Sequence, residues 1–598
     1  MTERTRLAAH GPLTVVHATG LLAEFNDAGV LGPLDITAAR TVARLHDEAD
    51  EVVMLAAALA VRSTRYGHVC VRLPTLREAV VVDRTDPEEI EALPWPDPEA
   101  WATAVAGSRL VGDGSEGHPL VLVDDRLYLE RYYRFEQQVA DLIRSRLEVP
   151  QAPVGPELGG RLETLLGDST SQHRAALQAV GGKLAVIAGG PGTGKTHTIG
   201  ALLVAMAQAD PERFPLVAVC APTGKAAARL GEALHDQAAA TGDPAVSETL
   251  AQVNPSTIHR LLGWTWGRNR FARNEHNRLP HDLVIVDEMS MVSLPLASRL
   301  LGAVRDDATV VLVGDPFQLE SIEAGTVLAD IVGPAADPDP PAAPIRERVT
   351  VLERVYRFEE DSRIASFADA VRRGDDSSAL DLLRDGDQLR WVQDPAGGDF
   401  EELWATVVDQ RARLVDLAQH HDATGALAAL GEVAVLCAHR QGPAGVSGWS
   451  RQIESALDER YPGLRWKGEW YPGRPVMITR NDYNLDLYNG DIGVAVGPQE
   501  RMQAVFERGE LRTFPLSHLT EHTTVHAMTI HKSQGSQFDQ VVVVLPDEES
   551  RLLTRELLYT AVTRAKKRVW LVGSEAVIRQ AITRSVARAS GLGDLLWR

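Results

Sequence analysis

Leu184-Ala-Val-Ile-Ala-Gly-Gly-Pro-Gly-Thr-Gly-Lys-Thr196 is the stretch on which the fold turns. Its apolar start reads as a buried strand. The residues after it, His197-Thr-Ile-Gly-Ala-Leu-Leu-Val204, have the spacing of a helix packed on a sheet. Strand, glycine loop and helix in that order are the context of a phosphate-binding loop. Gly189, Gly190, Gly192 and Gly194 remove Cβ atoms from the loop, so that N–H groups, including those of Pro191's neighbours and Thr193, can converge on phosphate oxygens. The helix start adds unpaired donors and the positive end of its dipole. Lys195 is placed to reach the β- and γ-phosphates, and the Thr196 hydroxyl to hold Mg²⁺. A chance glycine-rich turn would not need the Lys-Thr pair or both flanks. The implied ligands are ATP and Mg²⁺.

Working outward, 598 residues imply several domains, because single cores stop growing near roughly 250–300 residues. Met1 to Gly20 has no long apolar run, and the most apolar helix candidate, Val52 to Val61, is too short to span a bilayer. Cys70, Cys220 and Cys437 are widely spaced and form no metal-ligand pattern. The expectation is a cytoplasmic, multidomain chain. Its net charge of −21 excludes a globally basic surface but not a local basic track. Seven lysines stand against 54 arginines, and five of them (Lys195, Lys225, Lys532, Lys566, Lys567) fall in or beside segments with readable chemistry. In a chain that has drifted so far toward Arg, a retained Lys hints that a compact ammonium is needed.

Residues 1–150 read as mainly helical, with helices expected over 21–28, 37–62 and 129–147 and a short strand at 69–73. The run Val149-Pro-Gln-Ala-Pro-Val-Gly-Pro156 reads as a linker. Gln172 lies on a predicted helix over 171–180 and can pair with the edge of adenine, or else be an ordinary surface glutamine. A second strand over 216–220 leads into Ala221-Pro-Thr-Gly-Lys-Ala-Ala-Ala-Arg229, followed by Ser256-Thr-Ile-His-Arg260. Thr223, Lys225, Thr257 and His259 there offer contacts to a phosphate backbone, with helix capping as the alternative for each. Asp282-Leu-Val-Ile-Val-Asp-Glu288 is an apolar strand ending in two carboxylates. Asp287 suits Mg²⁺, and Glu288 suits the attacking water. A further strand runs into Gly314-Asp-Pro-Phe-Gln-Leu319, where Gln318 can sense the γ-phosphate.

These motifs in this order resemble superfamily 1 helicases, and within them the RecD-like branch. Arg354-Val-Tyr-Arg-Phe358 resembles motif IV, which implies that Arg357 reaches the γ-phosphate. Thr529-Ile-His-Lys-Ser-Gln-Gly-Ser-Gln537 resembles motif V, with Thr529, His531, Ser533 and Gln534 as strand contacts. Leu557-Leu-Tyr-Thr-Ala-Val-Thr-Arg-Ala565 resembles motif VI, with Arg564 as a second arginine finger. The resemblance covers roughly residues 160–598. It implies an α/β fold of two RecA-like motor domains with parallel sheets, at 151–350 and 351–598. A small SH3-like β insertion is implied at about 468–525, with Arg480, Asn481 and Asn489 as further strand contacts. The segment at about 264–280 resembles the family's β-ribbon pin, its aromatics and arginines suited to bases and phosphates; an ordinary exposed hairpin is the alternative. The proline-rich run 333–344 reads as a disordered or extended loop.

Gly67-His-Val-Cys-Val-Arg72 and Leu127-Tyr-Leu-Glu-Arg-Tyr-Tyr-Arg134 resemble the N-terminal domain of the RecD family, the alpha subunits of exodeoxyribonuclease V. That resemblance implies a docking role for residues 1–150, RecB-like and RecC-like partners, DNA as substrate and 5′-to-3′ movement. The nuclease centre is expected on another subunit, since no nuclease-like cluster is evident in this sequence. A stand-alone RecD-like helicase and a subunit with a mainly regulatory ATPase are the alternatives. A P-loop kinase would leave the motif V and VI matches unexplained.

Overall fold

The apolar Leu184–Gly189 run forms a strand, buried along its whole length, in a six-stranded parallel sheet of the computed structural model. The structure describes residues 14–598 apart from 16, 81, 83–86, 116, 168–169, 266–269, 338, 357–361, 385, 395–396, 465–468, 483, 499–500, 549 and 587. The strands of this sheet lie in the order Val349–Leu352, Leu184–Gly189, Thr309–Gly314, Leu283–Val286, Val217–Ala221, Ser256–Thr257. Near-continuous Val, Ile and Leu make both faces apolar, so each face must be covered. Helices Lys195–Ala209 and Gly224–Ala240 cover one, and helices Glu130–Leu147 and Leu294–Ala303 the other. All the strands point one way, which brings the phosphate loop, Asp287 and the 315–318 turn to one edge, where open α/β sheets bind ligands.

A second parallel sheet has the order Leu389–Val392, Ala565–Val572, Phe538–Val544, Val433–Cys437, Ala527–Thr529. The chain leaves it after Val433–Cys437 and builds a five-stranded antiparallel sheet, Pro475–Ile478 to His522–Thr524, before returning. The two-parallel-sheet α/β fold read from the sequence is the fold observed.

Three local expectations change. The helix expected over 37–62 is two helices, Pro33–Leu45 and Glu51–Arg65. Asp47 between them has φ +54°, and the Asp50 carboxylate caps the second by accepting from the Val52 N–H at 3.0 Å. Helices are not all of the first region: Cys70–Arg72, Arg126–Leu129, Leu120–Val123 and Val111–Gly112 form a four-stranded sheet. These strands are only two to four residues long, too short for periodicity to register. The 333–344 run is not simply extended, because Gly333–Ala336 makes a 3₁₀ turn and another begins at Pro344.

The C-terminal residues run back across the molecule. The Ala589 carbonyl accepts from the Val69 N–H at 2.8 Å, and the Gly591 N–H donates to Glu136 Oε2 at 2.9 Å. Leu592 and Leu596 join the core that also holds Val139, Ile143 and one face of the first parallel sheet. Among the described residues no helix is long and apolar enough to cross a membrane.

Candidate active site

Gly192 and Gly194 sit at φ +83° and +84°, a backbone region that costs any Cβ-bearing residue about 1–2 kcal/mol. The loop so formed ends at Gly194, the N-cap of helix Lys195–Ala209. Thr193 is buried, its hydroxyl donating to the Gly190 carbonyl at 2.8 Å. Lys195 Nζ donates to the Gly189 and Gly190 carbonyls at 2.6 and 2.9 Å, which holds the ammonium against the loop. From the linking segment, the Tyr356 N–H donates to the Gly192 carbonyl at 2.8 Å, while the Tyr356 ring stays half exposed beside the Arg354 guanidinium.

Asp287 and Glu288 follow the strand Leu283–Val286. Glu288 has φ +52°, an uncommon conformation for a non-glycine residue. Burial, and then the negative charge of Glu288, push the Asp287 carboxyl up to about 7, with Lys195 and the Glu288 N–H acting the other way. From the neighbouring strand, buried Asp315 accepts from Gln318 Nε2 at 2.8 Å, and Gln318 Oε1 accepts from Arg564 Nη2 at 3.0 Å. Arg564 is buried and also donates through Nε to the Thr560 carbonyl at 3.0 Å. Burial pushes the Tyr559 phenol far up and the Asp315 carboxyl up, and the two are hydrogen-bonded.

Lys195, Asp287, Glu288, Gln318, Tyr356 and Arg564 line a cavity of about 480 Å³ between the two parallel-sheet domains. The first domain contributes the loop, Arg229, Asp287, Glu288 and Gln318; the second contributes Gly535, Gln537 and Arg564. Lys225 Nζ donates to Ser536 Oγ at 2.6 Å and Arg229 donates to the Gly535 carbonyl, so the domains are bonded beside the cavity. A Leu319 N–H to Thr560 Oγ1 bond of 2.8 Å adds a further tie.

A larger groove of about 1280 Å³ runs between the same two domains. Thr223, His259, Trp264 and Phe271 line it from one side, and Arg440, Asn489, Thr529, His531, Lys532 and Gln534 from the other. Trp264, Phe271 and His259 pack as one aromatic cluster, with Trp264 and Phe271 centroids 4.8 Å apart. Burial holds His259 and His531 below the ordinary histidine range, so both are neutral at pH 7. Six cationic side chains line the groove against two carboxylates. One of these, Glu320, pairs with Arg588 at 3.0 Å.

Three family models match parts of the chain: an AAA domain over residues 168–394, the N-terminal domain of RecBCD enzyme subunit RecD over 27–128, and a UvrD-like helicase C-terminal domain over 524–572. RecBCD enzyme subunit RecD of Mycolicibacterium smegmatis is 45% identical over 575 residues, 94% of this chain and 97% of that protein. The chain belongs to the RecD family. RecD of Mycobacterium tuberculosis (strain H37Rv) is likewise 45% identical, covering 96% of this chain and 97% of its own length. The ATP-dependent RecD2 DNA helicase of Deinococcus radiodurans is 32% identical, covering 81% of this chain and 60% of its own. Among solved structures, Bacteroides Pif1 bound to single-stranded DNA is similar at 17% identity and a TM-score of 0.37, covering 72% of this chain and 94% of that one.

Set against this RecD-family chain, the sequence-predicted residues divide. Pro191, Gly192, Gly194, Lys195, Thr196, Asp287, Glu288, Gln318 and Arg564 share the cavity. Gln172 does not line it: buried, its Nε2 donates to the Thr193 carbonyl at 3.0 Å, so it braces the loop from behind. Arg357 lies outside the described residues. Thr223, Lys225, His259, Asn489, Thr529, His531 and Gln534 share the groove. Thr257 is instead a buried helix cap accepting from the Arg260 N–H, and buried Ser533 spends its hydroxyl on the Ile530 carbonyl. Arg480 and Asn481 line a separate hollow of about 270 Å³ in the antiparallel sheet, where Asn481 Oδ1 accepts from the Asn489 N–H. The ribbon at 264–280 is a short hairpin, Trp264–Thr265 against Arg270–Phe271, whose tip lies outside the described residues. Sequence reasoning missed Tyr356, Arg229, Asp315 and Tyr559. Tyr356 and Arg229 line the cavity, and Asp315 and Tyr559 stand behind Gln318 and Arg564, placements that only the fold makes visible.

Proposed function

We propose that this chain is the ATP-dependent 5′-to-3′ DNA helicase and translocase motor of a RecBCD-type exodeoxyribonuclease V. It works with RecB-like and RecC-like subunits in DNA end processing, double-strand break repair and recombination in the cytoplasm. The observation that carries the reading is one cavity that takes its phosphate loop from one parallel-sheet domain and a buried arginine from the other. A cavity shared in this way forms fully only when the domains close, which ties turnover to domain motion.

The residues fit ATP and Mg²⁺. The left-handed glycines clear the loop of Cβ atoms, and Thr196 and Asp287 supply the hard oxygen donors Mg²⁺ prefers. When bound, Mg²⁺ neutralises charge on the phosphate oxygens. The loop N–H groups and Lys195 hold the β- and γ-phosphates. Glu288, turned by its φ of +52°, accepts a proton from the attacking water. Arg564, oriented by Gln318, stabilises charge on the transferring phosphoryl group. The neighbouring groove takes the single strand, its cations on phosphates and its aromatic cluster against bases.

The test is ATP-dependent unwinding of 5′-tailed and 3′-tailed duplexes by the purified chain, alone and with co-expressed RecB-like and RecC-like subunits. Unwinding from the 5′ tail, weak alone and strong with partners, is expected. Strong unwinding alone would favour a stand-alone helicase, and ATPase without unwinding in either setting would make the motor regulatory.

A further inference from the structure

We propose that Ile322, at the tip of the 320–325 loop, is an aliphatic wedge that enters the base stack of the strand in the groove. The inference rests on reading that groove as the strand's track. Ile322 is 81% exposed, the most exposed large apolar side chain among the described residues, and it lines the groove. A single exposed aliphatic side chain is ordinary on a protein surface; what sets this one apart is its place in the groove, on a loop whose position is fixed.

This loop is fixed from four directions. The Leu319 carbonyl accepts from Gln534 Nε2 at 2.9 Å, and the Ser321 carbonyl accepts from Arg588 Nη1 at 2.7 Å. Ser293 Oγ donates to Glu323 Oε2 at 2.8 Å, and the Gly325 N–H donates to the Gly67 carbonyl at 3.0 Å. The apolar tip is therefore held out into the groove by its own supports. A β-branched side chain adds stiffness at χ1. Having no hydrogen-bonding atoms, it separates any pair of bases alike, as a motor on arbitrary sequence requires.

The loop is also joined to the nucleotide site. Gln318, four residues before Ile322, bonds Arg564 inside the cavity, and Leu319 bonds Thr560 and Gln534 of the second motor domain. Closure of that domain pair therefore acts on the loop that carries the wedge. Arg588 is a positioning residue here, reaching the loop from the C-terminal tail.

The experiment uses the full chain and a single-stranded oligodeoxythymidylate carrying one 2-aminopurine between two adenines, placed in turn at each position. At one or two positions, binding of the unaltered chain is expected to raise the fluorescence as the bases separate. Ile322→Asn should cut that rise at least threefold and raise the ATP consumed per base pair unwound at least threefold, while Ile322→Val keeps both near the original. No rise with the unaltered chain, or an equal rise with Ile322→Asn, overturns the wedge. Lys532→Glu keeps the two readings apart. If it weakens oligonucleotide binding while the Ile322→Asn signal is unchanged, the wedge alone fails. If it leaves binding untouched, the groove assignment falls and the wedge with it.

Discussion

Replacing Arg564 by lysine keeps the charge and removes the fork. The guanidinium donates to Gln318 Oε1 at 3.0 Å, the Thr560 carbonyl at 3.0 Å and the Ser536 carbonyl at 3.4 Å, from three different nitrogens. A single ammonium can occupy one of those positions, so at least two contacts are lost. Hydrogen bonds to charged groups contribute about 1.5–3 kcal/mol each. Two of them then represent about 3–6 kcal/mol of positioning, which falls on the step where phosphoryl charge develops. That corresponds to a fall of about 10²- to 10⁴-fold in kcat for strand-stimulated ATP hydrolysis. The KM for ATP should move only a few-fold, because the phosphate loop and Lys195 hold the ground state. Unpaired buried carbonyls also lower stability, so a thermal melt must show that the variant is folded under assay conditions. The Gln318–Arg564 contact gives an internal check. Gln318→Ala removes the same bond, so the double variant should cost little more than the worse single one. A folded Arg564→Lys protein turning over within threefold of the original, or costs that simply add, would refute the coupling.

Lys195→Gln should fold, since among the described residues the hydrogen bonds of Nζ go to loop carbonyls, but lose about a hundredfold or more in ATP turnover; ordinary turnover would remove the phosphate assignment. Burial and the Glu288 charge raise the Asp287 carboxyl to about 7, and on the proposed reading Mg²⁺ would take the ionised form. Binding of Mg²⁺-ATP should therefore release a proton and weaken as pH falls below about 7. The same raised value means that the protonated form favours the folded state. That contribution is fully present below the unfolded carboxyl value of about 3.9 and is lost as pH rises through 7. Calorimetry in two buffers of different ionisation enthalpy reads the proton, and Asp287→Asn should abolish it; equal heats for the unaltered chain would contradict this. Gly194→Ala sets a Cβ 2.0 Å from Gln172 Nε2 at φ +84°, so binding of a fluorescent ATP analogue should fall at least tenfold. Adding Gln172→Ala should restore part of it by removing the collision and leaving about 1–2 kcal/mol of backbone strain. Unchanged binding by Gly194→Ala would mean that the loop takes another shape.

The loop that lines the cavity was legible because the phosphate binding proposed for it draws on consecutive residues. Glycines, Lys195 and Thr196 must be neighbours for one turn and one helix start to present them together. Asp287 and Glu288 announced themselves in the same way, as polar residues ending an apolar strand. Arg564 was found by its motif, but its partner Gln318 lies 246 residues away, and no local pattern states that the two meet. The predicted residues that stand away from the cavity and the groove share a cause. Thr257 and Ser533 have the right atoms for a phosphate, yet a hydroxyl bonds its own backbone with equal ease, and in these two positions it does. Gln172 has the right amide for adenine, and the loop behind it uses the donor instead.

Charge was the least informative signal, and the groove explains why. A net −21 describes the whole surface, whereas a strand feels charges within about one screening length, roughly 10 Å at moderate salt. The groove is lined by six cations against Glu320 and Glu323. Glu320 is paired with Arg588, which offsets its charge, and Glu323 accepts a hydrogen bond from the Ser293 hydroxyl. Low-dielectric walls and Lys532 and Arg440 on one side then set the local field. The remaining acidic surface repels polyanions elsewhere. An acidic chain with one basic groove is thus better suited to a strand threaded through that groove than a basic chain would be, since a basic surface would hold the strand outside the groove as readily as within it.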